Sequence, residues 1–169
     1  AFGYGIMATP LQLASAYAVF ANEGVQLPVS LLALDEQAPE GERVVSEDTA
    51  SQVLDILHAV TGEHGTARKA RVPGYQVGGK TGTVHKVGPG GYMDDKYVAL
   101  FAGVAPVDDP RIVTVVVINE PQGDNYGGGA AAAPVYSSVT RGALRILNVP
   151  PSEVSDSGES PRPADGGAA

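Results

Sequence analysis

Residues 78–83 of the chain read GGKTGT, a lysine, two threonines and three glycines within six positions. Just before them, residues 75–77 alternate in the period-two pattern of a half-buried strand. Glycines weaken a strand unless another backbone or a ligand approaches closely, so these glycines predict a close approach. If the strand continues to the end of this stretch, Thr81 and Thr83 share a face, so that two hydroxyls and nearby amides can converge on an anion beside the lysine charge. The stretch therefore predicts a strand that binds a carboxylate.

Composition limits the kind of protein that surrounds this strand. The chain has 169 residues, of which 43% are hydrophobic, and this suits one globular domain. The net charge is -8 and the basic cluster is small, which argues against a nucleic-acid-binding protein. That cluster consists of Arg68, Lys69 and Arg71. The chain has no cysteine, and its histidines lack metal-ligand spacing, so neither a metal nor another cofactor is expected. The longest apolar run, residues 112–118, is too short for a membrane segment, which needs roughly 18 residues.

Two helices are predicted before the lysine strand. The first starts with Thr9 as cap, Pro10 and Gln12, and is expected to end near Asn22 because Gly24 follows. Its small residues at helical spacing predict close packing against another element. Leu11, Ala14, Ala18 and Ala21 fall at this spacing, and the three alanines are the small residues among them.

The second helix starts after Ser46, and its acidic first turn favours the positive end of the helix dipole. Its predicted buried stripe consists of Ala50, Val53, Leu54, Leu57 and Val60. Between the helices, residues 25–34 contain Pro28, which predicts an edge strand or extended segment. Val44 and Val45 predict a short extended piece.

Downstream, residues 97–104 and 111–118 are rich in β-branched and aromatic residues and predict two strands joined by a turn. With the lysine strand they form a predicted antiparallel meander. Because residues 113–118 are almost continuously apolar, this strand is expected to be covered on both faces. A flexible loop at residues 127–129 and a last helix over 131–147 follow.

These elements predict an α+β fold, in which an antiparallel sheet is flanked by helices. From residue 150 the composition changes to proline, serine, glycine and acidic residues without apolar periodicity. The sequence therefore predicts a folded part over residues 1–149 and a disordered acidic tail over 150–169.

The chain contains several short motifs whose order and spacing are typical of one protein family. They are Lys80, Thr81, Gly82 and Thr83; Phe2, Gly3, Tyr4 and Gly5, followed by Thr9 to Ala14; Asp95, Lys96 and Tyr97, with Phe101 to Pro106; Asp109, Pro110 and Arg111; and Tyr126, Gly127 and Gly128, with Ala133, Pro134 and Val135. In this order and at these spacings the chain resembles the C-terminal part of the class B penicillin-binding proteins, of the division-specific penicillin-binding protein 3 type. The resemblance implies the penicillin-binding transpeptidase or serine β-lactamase-like fold, with only its C-terminal half in this chain.

The same resemblance implies serine acyl transfer on peptidoglycan stem peptides and the binding of β-lactams. It gives Lys80 a role as a positive charge for the substrate carboxylate and the proton-shuttle serine. Thr81 and Thr83 are expected to hydrogen-bond the carboxylate, and Gly82 to let the substrate backbone lie against the strand. The Thr83 amide is expected to be one of two oxyanion-hole donors.

The family also needs a serine three residues before a lysine, and a serine two residues before an asparagine. Neither spacing occurs in this sequence. Because a catalytic unit cannot lack its nucleophile, we expect the serine to lie in a part of the protein outside this chain. The chain alone is then inactive.

The resemblance places four more residues near the ligand, namely His85, Tyr97, Tyr126 and Gly127. Gly127 and Gly128 are expected to give their loop the freedom to close. A strand tyrosine is more often a packing residue than a ligand contact, and His85 also suits a surface position at a strand end.

Three functions remain open from the sequence. A division transpeptidase is the first, and it implies divisome membrane proteins, including a glycosyltransferase, as partners. It also implies the periplasmic face of the bacterial inner membrane, with an anchor outside this chain. A β-lactamase or β-lactam sensor would use the same lysine motif, and a non-catalytic peptidoglycan or divisome binding module is the third.

Overall fold

The computed structural model describes residues 6–32, 39–123 and 126–152. Within these ranges the elements in chain order are α1 (Pro10–Ala21), β1 (Val25–Gln26), β2 (Glu42–Arg43), α2 (Glu47–Ala59), a short 3-10 helix (Arg68–Ala70), β3 (Gly78–Gly88), β4 (Gly91–Ala105), β5 (Ile112–Asn119) and α3 (Gly128–Ile146). The strands β1 and β2 pair with each other, and β3, β4 and β5 form an antiparallel meander in that order. The α+β class is confirmed, whereas most of the predicted tail lies outside the described residues.

Both predicted helix starts are confirmed by their caps. Thr9 Oγ1 accepts a hydrogen bond from the Gln12 amide at 3.2 Å, and Gln12 Oε1 accepts one from the Thr9 amide at 2.9 Å. Ser46 Oγ accepts a hydrogen bond from the Thr49 amide at 3.2 Å. These bonds satisfy amides that the first turn of each helix leaves unpaired. After α1, Gly24 adopts a left-handed φ of 87°, as a glycine that stops a helix does.

The helix α1 packs against β5, in agreement with the predicted close approach, although its apolar stripe is only partly buried in this chain. Val19 is the buried residue of α1 within the described ranges, whereas Leu11 is 54% exposed. The stripe lines an open groove that it shares with Leu27 and Val113. The stripe that was predicted to be buried in α2 lies largely inside, because Ala50 and Leu54 are buried and Val53, Leu57 and Val60 are partly buried.

The segment between the helices is paired differently from the prediction. The strand β1 ends at Gln26, before Pro28, and residues 33–38 lie outside the described ranges. Its partner β2 precedes Val44 and Val45 instead of containing them. The amides of these two valines donate to the Gly24 carbonyl at 2.9 and 3.2 Å, so they close the turn beside the helix end.

The meander was predicted, but the hairpin between its first two strands is longer than expected. The strand β3 begins at Gly78, so Tyr75 lies outside it and pairs only with Val72 in an isolated bridge. The strands β3 and β4 continue to Gly88 and from Gly91, well beyond the predicted region. Charged residues and a bulge after His85 interrupt the alternation there, which is why the apolar pattern gave no signal.

The strand β5 has helices on both faces, as its apolar sequence predicted. Thr114 accepts a hydrogen bond from the Thr140 hydroxyl of α3 at 3.2 Å, whereas Val113 lines the groove beside α1. Neighbouring residues in a strand point to opposite faces, so α1 and α3 lie on opposite sides of β5. The cover is incomplete, because Val117 is 44% exposed.

The core lies between the meander and α3. Phe101 of β4 and Tyr136 of α3 are fully buried and pack edge to face with their ring centres 4.6 Å apart. The Tyr136 hydroxyl donates to the Val104 carbonyl at 3.2 Å. Burial raises the pKa of Tyr136 well above the usual tyrosine range, so this hydroxyl stays protonated. The contact fixes α3 across the middle strand.

The glycines predicted to form a flexible loop instead start α3, and this prediction is wrong. Gly127 is the N-cap, and Gly128 and Gly129 belong to the first turn. A Cβ on Gly128 would lie 2.4 Å from the Leu100 carbonyl oxygen and 2.6 Å from that of Gly82. Gly128 therefore serves close packing of the helix start against two strand backbones.

We expect Gly128→Ala to destabilise the protein by about 1–3 kcal/mol, because the added methyl group must push α3 away from β3 and β4. The matched control is Gly142→Ala in the same helix, where a Cβ meets no atom within 4 Å. That control should be neutral or stabilising by roughly 0.5–1 kcal/mol, since alanine favours a helix. Urea unfolding of the complete protein measures both changes. Equal stabilities for the two variants would contradict the close-packing interpretation.

Candidate functional site

The lysine motif lies on β3, at one edge of the three-stranded meander. Its register with β4 pairs Lys80 with Ala102 and Thr83 with Ala99. The Lys80 side chain is exposed, and its Nζ donates to the Thr81 carbonyl at 3.1 Å. Within the described residues Lys80 forms no ion pair. Its charge is therefore open to an anion from outside.

The two threonines of the motif share the face that meets the first turn of α3, as alternation predicts. Thr83 Oγ1 accepts a hydrogen bond from the Gly128 amide at 3.0 Å. A Cβ on Gly129 would lie 3.6 Å from the Thr81 methyl group. Because Thr83 Oγ1 accepts from α3, its own hydroxyl hydrogen remains able to donate. Thr83 is exposed, so this donor is accessible.

Gly82 has a packing reason for its lack of a side chain. A Cβ at this position would lie 2.7 Å from Leu100 Cγ on the neighbouring strand. Thus the glycine keeps the motif in the sheet whether or not a ligand backbone lies beside it.

Three aromatic residues predicted to surround the ligand form a contiguous row next to the motif. The ring centres of His85 and Tyr97 are 4.5 Å apart, and those of Tyr97 and Tyr126 are 4.0 Å apart in a stacked arrangement. His85 Nδ1 lies 3.0 Å from the Met93 carbonyl oxygen. Since a carbonyl only accepts, Nδ1 is the donor in this contact. Tyr126 is 40% exposed, so the row ends at the surface.

Gly127 connects this row to the motif, although not as a freely moving loop residue. Its φ of -68° and ψ of 154° are accessible to any residue. A Cβ there would be 3.7 Å from Thr83 Oγ1, an ordinary contact. The expected freedom of Gly127 and Gly128 is therefore not a feature of this structure. The two residues instead anchor the loop to Thr83.

Sequence reasoning missed an ion cluster beside the aromatic row. Glu120 Oε1 accepts a hydrogen bond from Lys86 Nζ, and Glu120 Oε2 lies 3.2 Å from Lys96 Nζ. The hydrogen bonds from Lys86 and then Lys96 hold the pKa of Glu120 below the usual glutamate range. Only the strand register brings these distant residues together, so no local motif predicted them.

Other candidate residues lie away from the motif. His58 Nδ1 is 2.9 Å from the Val77 carbonyl oxygen, and Arg71 Nε donates to the Thr61 carbonyl at 2.7 Å. Both line a cavity of about 560 Å³ that includes no residue of the lysine motif. Among the described residues, no cluster of histidine and carboxylate side chains could hold a metal ion. None of the described helices is long and apolar enough to cross a membrane. Residues 2–5 of the quoted motifs fall outside the described ranges.

Similarity to known proteins agrees with the resemblance drawn from the motifs. The chain is 45% identical over 150 residues to the peptidoglycan D,D-transpeptidase FtsI of Escherichia coli K12, covering 89% of this chain and 25% of FtsI. It is 43% identical over 154 residues to the probable peptidoglycan D,D-transpeptidase PenA of Neisseria flavescens, covering 90% of this chain and 38% of PenA.

A solved structure gives the same picture. The transpeptidase domain of Burkholderia pseudomallei penicillin-binding protein 3 superposes with a TM-score of 0.81 at 44% sequence identity, over 88% of this chain and 45% of that chain. The chain thus spans less than half the length of each of these three relatives. The profile of the penicillin binding protein transpeptidase domain matches residues 1–141, and the chain therefore belongs to that family.

Proposed function

We propose that this chain supplies the carboxylate-binding wall of a serine-type peptidoglycan D,D-transpeptidase that cross-links stem peptides during division. The observation that carries the proposal is the arrangement on β3, where two threonines share one face and the exposed lysine before them has its Nζ 3.1 Å from the Thr81 carbonyl oxygen. Lys80 provides the charge, and Thr81 and Thr83 provide the hydroxyl donors. Charge-assisted hydrogen bonds of this kind are the strong ones in proteins.

The first turn of α3 strengthens this wall in two ways. The Gly128 amide occupies a lone pair of Thr83 Oγ1, which directs the hydroxyl hydrogen toward a ligand. The N-terminus of a helix also carries a partial positive charge, and here it lies beside the same threonine. A terminal carboxylate next to Thr83 would therefore meet both the lysine and the helix end.

In the proposed reaction, a serine from a part of the protein outside this chain attacks the D-Ala-D-Ala carbonyl. D-Alanine leaves, and an amine of a neighbouring stem peptide takes the acyl group. The Thr83 amide would stabilise the developing oxyanion together with the amide of that serine. Losing one such donor typically raises the barrier by about 2.7–4 kcal/mol. The β-lactams mimic the donor peptide, acylate the same serine and trap it as the acyl-enzyme.

The relatives favour this function over the alternatives, since FtsI and PenA are named as peptidoglycan D,D-transpeptidases. Neither of these two relatives is named a β-lactamase, a sensor or a non-catalytic binding module. By the same reasoning we propose that the protein acts at the periplasmic face of the inner membrane with divisome partners. A peptidoglycan glycosyltransferase from Burkholderia ambifaria has a similar structure; it is 39% identical, with a TM-score of 0.77 over 89% of this chain and 44% of that one.

We expect the chain of residues 1–169 to form no covalent adduct with a fluorescent penicillin. The reason is that it contains no serine three residues before a lysine, so the nucleophile of the family is absent. Gel electrophoresis under denaturing conditions measures the adduct, with the complete protein as the labelled control. A fluorescent band at the mass of the chain would refute this prediction.

We expect Lys80→Ala in the complete protein to slow β-lactam acylation on the order of 100-fold, because the carboxylate loses its charged partner. The melting temperature should stay nearly constant, since Lys80 is exposed and bonds only its neighbour's carbonyl among the described residues. Stopped-flow acylation kinetics and a thermal melt measure the two effects.

The control is Arg145→Ala, which removes an exposed cation near the opposite end of α3. That position lies roughly 25 Å from the helix start at 1.5 Å per residue, so acylation should be unchanged. Wild-type acylation by the Lys80→Ala variant would remove the role proposed for the lysine.

A further inference from the structure

Two side chains at the end of α2 hold the residue that precedes the lysine strand. His58 lies in the last turn of α2, and Thr61 follows shortly after the helix ends. His58 Nδ1 is 2.9 Å from the Val77 carbonyl oxygen, and Thr61 Oγ1 is 2.8 Å from the same oxygen. Because a carbonyl oxygen only accepts, both side chains donate to it. Val77 comes directly before β3, and we call His58 and Thr61 the α2 anchor.

Thr61 is itself held by several hydrogen bonds, and only 3% of it is exposed. Its amide donates to the His58 carbonyl at 3.0 Å, and its own carbonyl accepts from Arg71 Nε at 2.7 Å. Thr61 Oγ1 is also 2.9 Å from the His58 carbonyl oxygen, so its single hydrogen is shared between that oxygen and the one of Val77. A buried hydroxyl with all its partners in place keeps a defined direction.

The backbone of α2 also lies close to the first residue of β3. A Cβ on Gly78 would be 3.0 Å from the backbone nitrogen of His58 and 3.1 Å from the carbonyl carbon of Leu57. Gly78 therefore faces the end of α2. Residues two apart in a strand share a face, so Lys80 leaves β3 on this side, whereas Thr83 faces the start of α3.

Because their side chains leave opposite faces, Lys80 and Thr83 can meet one carboxylate only across an edge of β3. In the described part of the chain β3 pairs with β4 alone, so the ligand edge is the one opposite β4. A rotation of β3 about its own axis would move Lys80 toward that edge and Thr83 away from it, or the reverse. Two contacts oppose this rotation, the bond from the Gly128 amide to Thr83 on one face and the α2 anchor on the other.

We propose that Thr61, together with His58, is a positioning residue that fixes the rotation of β3 and thereby the position of the Lys80 ammonium relative to the Thr83 hydroxyl. The effect passes through the Val77 carbonyl, three residues before Lys80. Where it concerns ligands, this role rests on the proposed function, because it assumes that a carboxylate binds at Lys80 and Thr83.

The hold on β3 can be measured without any ligand, by hydrogen exchange and mass spectrometry of the complete protein. Thr61→Val keeps the shape of the side chain and removes its hydroxyl. The amides of residues 78–81 should then exchange about tenfold faster, as expected when a buried hydrogen bond that holds the strand is lost. The matched control is Thr49→Val at the other end of α2, where the exposed hydroxyl is 2.8 Å from Ser46 Oγ. Equal exchange of residues 78–81 in the two variants would overturn the proposal.

The effect on the ligand is tested by acylation of the complete protein with a penicillin and with its methyl ester, which lacks the negative charge. A displaced ammonium affects the charged ligand far more than the ester, so in Thr61→Val the ratio of the two acylation rates should fall about tenfold. Thr61→Ser, which keeps the hydroxyl, should restore the ratio, and Thr49→Val should leave it unchanged. Equal slowing of both ligands would show a general loss of structure instead of a displaced lysine and would contradict the proposal, as would an unchanged ratio.

A second variant keeps the test decisive if Thr61→Val does not fold. His58 is only partly buried, and His58→Phe keeps a flat ring there but has no Nδ1 to donate to Val77. The ratio of the two acylation rates should fall in the same direction as in Thr61→Val. A wild-type ratio in His58→Phe would refute the role of the α2 anchor.

A failure of the proposed function would give a different result. If Lys80→Ala leaves the ratio of penicillin to ester acylation unchanged, Lys80 does not bind the carboxylate and the proposed function is wrong. The hydrogen exchange of residues 78–81 in Thr61→Val would still decide whether Thr61 holds the lysine strand.

Discussion

The contact between the first turn of α3 and the backbones of β3 and β4 is the constraint on which the rest of the structure depends. The space is too small for a methyl group at Gly128, so the helix amide reaches Thr83 directly. A helix that lay farther out would leave the threonine hydroxyl free to rotate and would remove the helix end from the site. Close packing here is therefore also what orients the Thr83 hydroxyl, which belongs to the proposed site.

The core maintains this contact from a distance. Phe101 pairs with Thr81 across the sheet, and its ring packs on Tyr136, two helical turns after Gly128. The Tyr136 hydroxyl bonds the backbone of β4, so α3 can neither slide along the sheet nor rotate without breaking a buried hydrogen bond. A buried aromatic pair, which contacts no ligand, thus sets the position of the site.

Sequence reasoning predicted the elements with strong local signals. Thr9 and Ser46 were read as caps because a cap needs only its own next turn, and the apolar residues of β5 marked a strand covered on both faces. Sequence reasoning is less accurate where contacts between distant residues decide the conformation. The glycines after Tyr126 suggest a loop by local rules, and only the approach to Leu100 and Gly82 shows why they start a helix. Glu120 has no local signal at all, since its partners lie on other strands.

The overall charge of the chain makes the local charge of the lysine motif more important. With a net charge of -8, the chain repels the carboxylates and other anions that the proposed site would bind. Salt limits this repulsion to about 8 Å at physiological ionic strength, so a nearby cation dominates at short range. Lys86 and Lys96 share the single carboxylate of Glu120, whereas Lys80 has no ionic partner among the described residues. Of the three lysines on β3 and β4, the fold thus pairs two with a carboxylate and leaves Lys80, in the proposed site, without one among the described residues.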